Sequence, residues 1–392
     1  MADLVLERPL SISWHDDGDL CRVVHLVCGT EPILRMRSML LEFSERCGQP
    51  GTMEDLSYFL SKPGLLKRVP YLFLLAKRQD LRPDELVVDD LLGALILYEF
   101  RVLGQGLRAF ASNDRSGRGT LLALPPQRMK MAGLVSRALL DRGAQMIMLS
   151  FRRGGEHDSE GERDGTGLFE VPGSSSSIRA EWARRERQIA GYLPLLASYD
   201  ATLATMGQRT RRNLRYYRRR AETQLGCTLV SPVAIGTGEF LAFNRECMYP
   251  VRDQVALWRL NVMQELNEPV MLGLQDKDGR WLSLLGGRRN RDRTEILWQM
   301  NRDGLSSHSL STVMRSWLIE HEIAHGMRRL YFEGGTAHSV NHSCVREELT
   351  DLVVVRRSWV ASMMKRFARH RVYPDNELAL VLKDETIPWY RC

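Results

Sequence analysis

The chain has 392 residues, of which 44% are hydrophobic and 26% charged, with 15 Pro and 31 Gly. This is more than one hydrophobic core usually serves, since single cores stop growing near roughly 250–300 residues, so two domains are expected, and collagen-like and disordered classes are excluded by composition. No apolar run approaches the roughly 18–20 residues of a membrane span, and the net charge of +7 admits nucleotides, nucleic acid or anionic surfaces as partners while saying nothing of fold.

In chain order, alternation over 21–28 predicts a strand, helical spacing over 32–47 a helix with Pro at its start, and Thr52-Met53-Glu54-Asp55 a capping box opening a short helix that Pro63-Gly64 ends. Apolar runs at 71–76, 91–100, 107–111 and 121–124 have the length and flanking turns of strands. A helix over 128–140, stopped by Arg142-Gly143, and a strand over 146–151 complete the first half. Residues 152–165 are polar and Gly-rich, and Pro172-Gly173-Ser174-Ser175-Ser176-Ser177 follows, so 152–180 reads as a flexible linker between domains at 1–151 and 181–392.

The second half repeats the order. A helix over 209–224 ends at Gly226, a strand starts at 228–230, and 238–266 reads as helical until Glu268-Pro269. Strands follow at 270–274, 281–286 and 295–300, then a helix over 309–327 with apolar positions 310, 313, 314, 317 and 318, then a strand at 330–332. Strand, short loop, helix, strand recurs at 121–151 and 295–332, which reads as an internal duplication of a mixed-sheet α/β domain. The start, Met1 to Arg8, has no apolar h-region, and seven Cys at 21, 28, 47, 227, 247, 344 and 392 lack CxxC spacing; both fit a reduced cytoplasmic compartment.

The order β-α-α-β-β-β-α-β resembles that of the GNAT acyltransferase superfamily, and the stretch from Arg209 to Glu222 resembles the Arg-rich helix of its BioF2-like and CelD-like branch, related to the FemAB group, in which two GNAT domains share one chain. The strand pair around Leu284-Leu285-Gly286-Gly287, the end Trp298-Gln299-Met300-Asn301 and the run Tyr331-Phe332-Glu333-Gly334-Gly335-Thr336 carry the same resemblance, which is clearest over 190–360 and weaker over 20–151. It implies tandem GNAT-like α/β domains and transfer of an acyl group from acyl-CoA, or another activated carrier, to a small-molecule amine, with the site in the second domain.

Such enzymes hold the donor pyrophosphate at the start of the helix after strand 4, where unpaired N–H groups and the helix dipole favour an anion. Neither half carries the QxxGxG-type loop of the superfamily. The matching stretch in the second half is Ser306-Ser307-His308-Ser309-Leu310-Ser311, whose hydroxyls either bind phosphate or cap the helix; the first half offers Arg128. Deprotonation of the attacking amine calls for a general base, for which Glu333 before Gly334-Gly335 is the first candidate, with His338 and His342 beyond it on one face if that stretch is helical. Trp298, Asn301, Arg288, Arg215 and Tyr216 are candidates for holding substrate, although Arg288 and Arg289 equally suit an edge strand. Met263, Met271, Met300, Met314 and Trp298 either line an acyl tunnel or pack as ordinary core.

Two other classes compete. His321-Glu322-Ile323-Ala324-His325 is HExxH, in which two His at i, i+4 on a helix bind zinc while the Glu activates water; Glu333, His338 or His342 would be the third ligand. Against it, the helix runs straight into a strand, and no metal is expected. Seven Arg within 209–220, with Tyr216 and Tyr217 among them, suit an RNA-binding face or a solvated amphipathic helix. Some FemAB relatives take their acyl group from aminoacyl-tRNA, so tRNA is compatible with the acyltransferase reading.

Overall fold

Two apolar strands, long enough to be covered on both faces, organise the first half. In the computed structural model, which describes residues 14–16, 20–48, 53, 56–61, 67–78, 80–102, 105–112, 121–124, 127–152, 179–332, 338–359, 362–363, 366 and 389–391, contacts group the chain into two units. One comprises residues up to Gln188 together with those from Glu348 on, and the other Ile189–Glu347. Most of the expected linker, 153–178, lies outside the described residues. Among the described residues no helix is long and apolar enough to cross a membrane.

The first unit runs β1 (Trp14–Asp16), β2 (Leu20–Cys28), α1 (Thr30–Arg35), α2 (Arg37–Arg46), α3 (Leu56–Ser61), β3 (Lys67–Ala76), β4 (Leu91–Val102), β5 (Gln105–Ser112), β6 (Leu121–Ala123), α4 (Arg128–Asp141) and β7 (Met146–Arg152). Strands β2 to β5 pair antiparallel in sequence order, and β5 pairs β7 in parallel across α4. Because side chains alternate across a strand, Tyr71, Phe73 and Leu75 of β3 join the core under α4 while Leu72 and Leu74 join the one under α1 and α2. Gly93 lets α4 approach the sheet, since a Cβ there would meet the Met131 sulfur at 2.4 Å. The far edge of β7 pairs antiparallel with Val345–Arg356, a strand that follows the second unit in sequence.

The second unit begins with the end of β8 (Ala180–Pro194), then α5 (Tyr199–Ala204), α6 (Gln208–Leu225), β9 (Thr228–Val230), α7 (Thr237–Arg245), α8 (Asp253–Glu265), β10 (Pro269–Gln275), β11 (Trp281–Asn290), β12 (Arg293–Asn301), α9 (Leu310–Ala324) and β13 (Arg329–Phe332); the strand at Val345–Arg356 is β14 and Trp389–Arg391 is β15. Gly226, at φ 60°, takes the left-handed turn that ends α6. The single helix expected over 238–266 is two. Asn244 brackets Val251 with hydrogen bonds to both its N–H and its carbonyl, and Cys247 bridges Arg302, so the chain leaves helical geometry between them. Strands β9 to β12 pair antiparallel, β12 pairs β13 in parallel across α9, and β13 pairs the end of β8.

In each unit the strand after the last helix pairs in parallel with an earlier strand, β7 with β5 across β6 and α4, and β13 with β12 across α9. This is the mixed-sheet α/β fold that the resemblance implies.

Candidate active site

Among the described residues the parallel pair in the second unit spans four positions. Its register runs from Arg293 opposite Arg329 to Ile296 opposite Phe332, and β12 continues to Asn301. Residues 297–300 thus have no strand partner on that side among the described residues, and at Asn301 the carbonyl accepts from the Met248 N–H at 2.9 Å. The ladder to β11 also shifts here: Gly286 faces Trp298 and Gly287 faces Ile296, which leaves Leu297 as a bulge. A Cβ on Gly287 would meet the Glu295 carbonyl oxygen at 2.5 Å, so only glycine permits this approach.

Helix α9 starts beside that strand end. A 3-10 turn over Ser306–His308 leads to Ser309, left-handed at φ 49°, whose carbonyl accepts from the N–H groups of Thr312 at 2.7 Å and Val313 at 3.1 Å. The N–H groups of Leu310 and Ser311 come before these first helical bonds. A chain of hydrogen bonds fixes the turn: Val340 N–H donates to His338 Nδ1 at 3.2 Å, His338 Nε2 meets Thr312 Oγ1 at 3.1 Å, and Thr312 Oγ1 meets Ser309 Oγ at 2.8 Å. Since Nδ1 accepts, the ring proton sits on Nε2 and is donated to Thr312. Burial, helped by the charge of Arg315, pulls His338 down to about 4, so the ring is neutral at pH 7. From α6, Arg220 Nη1 donates to the Ser307 carbonyl at 3.1 Å, and His308 Nε2 meets Gln224 at 3.1 Å, bringing one cation to the turn.

The other expected residues are dispersed. Arg288 is fully buried and pairs across the hairpin with Glu295, its Nη2 2.8 Å from Oε2, so its charge faces into the sheet. Trp298 is buried beneath Gly286 and packs edge-to-face on Phe240 at 5.7 Å. Asn301 accepts from Ser283 at 2.8 Å and Gln299 at 3.0 Å. Arg215 pairs with Asp200 at 2.7 Å on the exposed face of α6, where Tyr216 is also exposed and lies against Tyr217. In the first unit, buried Arg128 opens α4 and donates to the Ala123 carbonyl at 3.2 Å. Met263, Met300 and Met314 are buried, Met271 half-buried; Met314 is part of the core under α9. His342 is exposed in a 3-10 turn over Ser339–Ser343, where residues four apart point about 120° apart, so it shares no face with His338. Glu333, Gly334 and Gly335 lie outside the described residues.

The HExxH residues fold in a way that argues against hydrolysis. His321, Glu322 and His325 bring ligand atoms within 4.8 Å of one another. Glu322, however, is fully buried and accepts from Arg289 at 2.9 and 2.8 Å, from Thr294 at 2.5 Å and from His321 Nδ1 at 2.9 Å. Burial alone would raise its pKa, but the hydrogen bonds from His321, Arg289 and Thr294 outweigh it and hold the carboxyl at about 2. Such a carboxylate is a poor proton acceptor, and its ion pair with Arg289 ties the end of α9 to β11.

Two residues escaped the sequence reading. Thr312 links Ser309 to His338, and Arg315, one turn further along α9, is buried with its guanidinium over the Phe332 ring. The signal for the second was present: a charge set among Leu310, Val313, Met314, Leu318 and Ile319, the apolar inner positions of the same helix.

No family model matches the chain, nor does any curated protein. Solved structures similar in fold include a tandem GNAT protein from the clavulanic acid biosynthesis pathway, 12% identical, covering 86% of this chain and 99% of its own with a TM-score of 0.48. L-PGS from Bacillus licheniformis is 12% identical and covers 83% of this chain and 94% of its own, with a TM-score of 0.44. FemX is 9% identical, covering 83% and 96%, with a TM-score of 0.44. These likenesses concern fold.

Proposed function

We propose that the protein is an N-acyltransferase that moves an acyl group from a CoA-type thioester, or another activated carrier, to a small-molecule amine, and that the second unit carries the site. The observation behind this reading is the start of α9, with N–H groups that precede its first helical bonds, beside the end of β12, whose residues 297–300 have no strand partner on the β13 side among the described residues. A free strand edge accepts an extended, amide-bearing chain by main-chain hydrogen bonds, and a helix start with unpaired N–H groups accepts phosphate; an acyl-CoA has both parts. In this reading Leu310 and Ser311 N–H, with the hydroxyls of Ser306, Ser307, Ser309 and Ser311 and the ring of His308, hold the donor phosphates, and backbone 297–300 holds the thioester arm. The Arg-rich α6, which carries the resemblance to the BioF2-like and CelD-like branch, supplies Arg220 to the same turn.

The donor delivers an electrophilic carbonyl. The amine nitrogen attacks it, the new C–N bond forms as the C–S bond breaks, and the departing thiolate takes up a proton. Glu333 is assigned the proton released by the amine, and His342 is the alternative acceptor. Both ring nitrogens of His338 are engaged, so its part is to position Thr312 and Ser309. In the first unit Arg128 is held by a backbone carbonyl, which favours a structural part for that unit.

The test is native mass spectrometry and product analysis with acetyl-CoA and longer acyl-CoAs against a panel of amines. Bound acyl-CoA and an acylated amine, with transfer reduced roughly 10²–10⁴-fold in Glu333→Gln, are expected. Absence of any acyl-CoA binding together with strongly salt-dependent tRNA binding, lost on charge reversal of α6, would favour a tRNA-borne donor.

A further inference from the structure

Arg315 stands apart from the other buried cations. Arg288 meets a carboxylate and Arg128 a backbone carbonyl, but Arg315, 4% exposed, leaves Nε and Nη1 without a hydrogen-bond partner among the described residues. Its guanidinium lies over the Phe332 ring, 4.9 Å from the centroid, near the neutral His338 and the Cys344 thiol. Burial pulls it down to about 10, with only Cys344 nearby to oppose the shift. An unpaired buried charge is costly and destabilising, and a polar group of this kind in a native fold calls for an explanation. Three half-buried groups surround it: Phe332 at the end of β13, His338 and Cys344 at the two ends of the 3-10 turn. One turn back on α9, Thr312 holds His338 toward it.

We infer that Arg315 is the receiving group for a carboxylate carried by the acyl acceptor, so that the acceptor class is an amino acid or another amine bearing a single carboxylate. This rests on the acyltransferase reading. One cation among neutral groups matches a monoanion, and at low dielectric a charge-assisted guanidinium–carboxylate pair is strong and directional. The donor phosphates have a separate place at the start of α9. An amine anchored by its carboxylate at Arg315 would be presented beside Phe332 of β13, over whose ring the guanidinium lies.

The proposal is tested by thermal shift and calorimetry with the twenty common amino acids and their carboxamides, using wild type, Arg315→Lys and Arg315→Met. At least one amino acid is expected to raise the melting temperature of the wild type where its amide does not, with affinity falling at least tenfold in Arg315→Met and partly recovered in Arg315→Lys. Arg315→Met alone should melt at a higher temperature than wild type, because an uncompensated buried charge has been replaced by an apolar chain of similar length. The proposal is overturned if no amino acid binds, if acids and amides bind equally, if Arg315→Met binds as wild type does, or if Arg315→Met melts well below wild type, which would mark a structural cation. Acetyl-CoA binding, measured in parallel, separates the two readings: a protein that binds acetyl-CoA but no amino acid keeps the acyltransferase and loses the carboxylate subsite.

Discussion

Two titratable residues of the second unit, half-buried His338 and buried Glu322, give the protein two distinct responses to acid. His338 is held neutral, at about 4 against an ordinary 6.5, so between these values the unfolded chain binds the proton that the folded chain refuses. Stability is full above about 6.5 and is lost as pH falls through that window toward 4. Glu322, at about 2 against 4.5, contributes stability above its unfolded value that is lost as pH falls from about 4.5 to 2. Each shift corresponds to about 3 kcal/mol at most, less for the partly exposed His338. Melting followed from pH 7 to 3 is expected to fall in two stages, the first flattened in His338→Gln and the second in Glu322→Gln, whose melting temperature at pH 7 is already low because Arg289 has lost its charge partner. A single transition unaffected by His338→Gln would show that the ring is accessible and that its link to Thr312 does not persist in solution.

At the scale of elements, the bulge where β11 meets β12 fixes the path of β12 ahead of α9. Gly287→Ala would push a methyl against the Glu295 carbonyl oxygen, which a backbone cannot evade cheaply, and Gly286→Ala would displace the Trp298 indole, whose nearest atoms stand 2.2 Å from the built Cβ. Both should cost about 1–3 kcal/mol, with Gly287→Ala the more damaging; urea unfolding measures the difference. Equal stability to wild type in both would mean that the bulge is not fixed. The strands around this feature were legible because apolar runs bounded by turns admit few readings, and α6 and α9 because their apolar stripes have helical period. The break in 238–266 was not, since it depends on the Asn244 side chain closing on Val251 and on Cys247 bridging Arg302, just past the end of β12 and more than fifty residues away. The burial of Arg288 was equally hidden, because it requires the register that sets Glu295 opposite it. Of the candidate site, the turn at Ser306–Ser311 was visible as a serine cluster, whereas the Thr312 to His338 link joins positions that no local pattern connects.

At the scale of the whole molecule, the duplication was readable and the strand exchange was not. The first unit takes β14 from beyond the second unit, where Leu352, Val353, Val354 and Val355 are buried and run antiparallel to Met146–Leu149 of β7. Pairing between strands about two hundred residues apart leaves no trace in local periodicity, and the charged run of β8 hides a strand altogether. Val354→Asp would bury an unpaired carboxylate against Ile147 at a cost of several kcal/mol. Limited proteolysis of that variant should open the region up to Gln188 while Ile189–Glu347 stays protected; protection of the first region would mean that β14 is dispensable to it. The acyltransferase reading is tested most directly by calorimetry of acetyl-CoA binding to wild type and Ser311→Glu. A carboxylate in the first turn of α9 favours the helix through its dipole while occupying the place assigned to donor phosphate, so binding should be lost with the melting temperature unchanged or raised. Binding that survives Ser311→Glu but is lost in Arg128→Glu would contradict the account and move the donor site to the first unit.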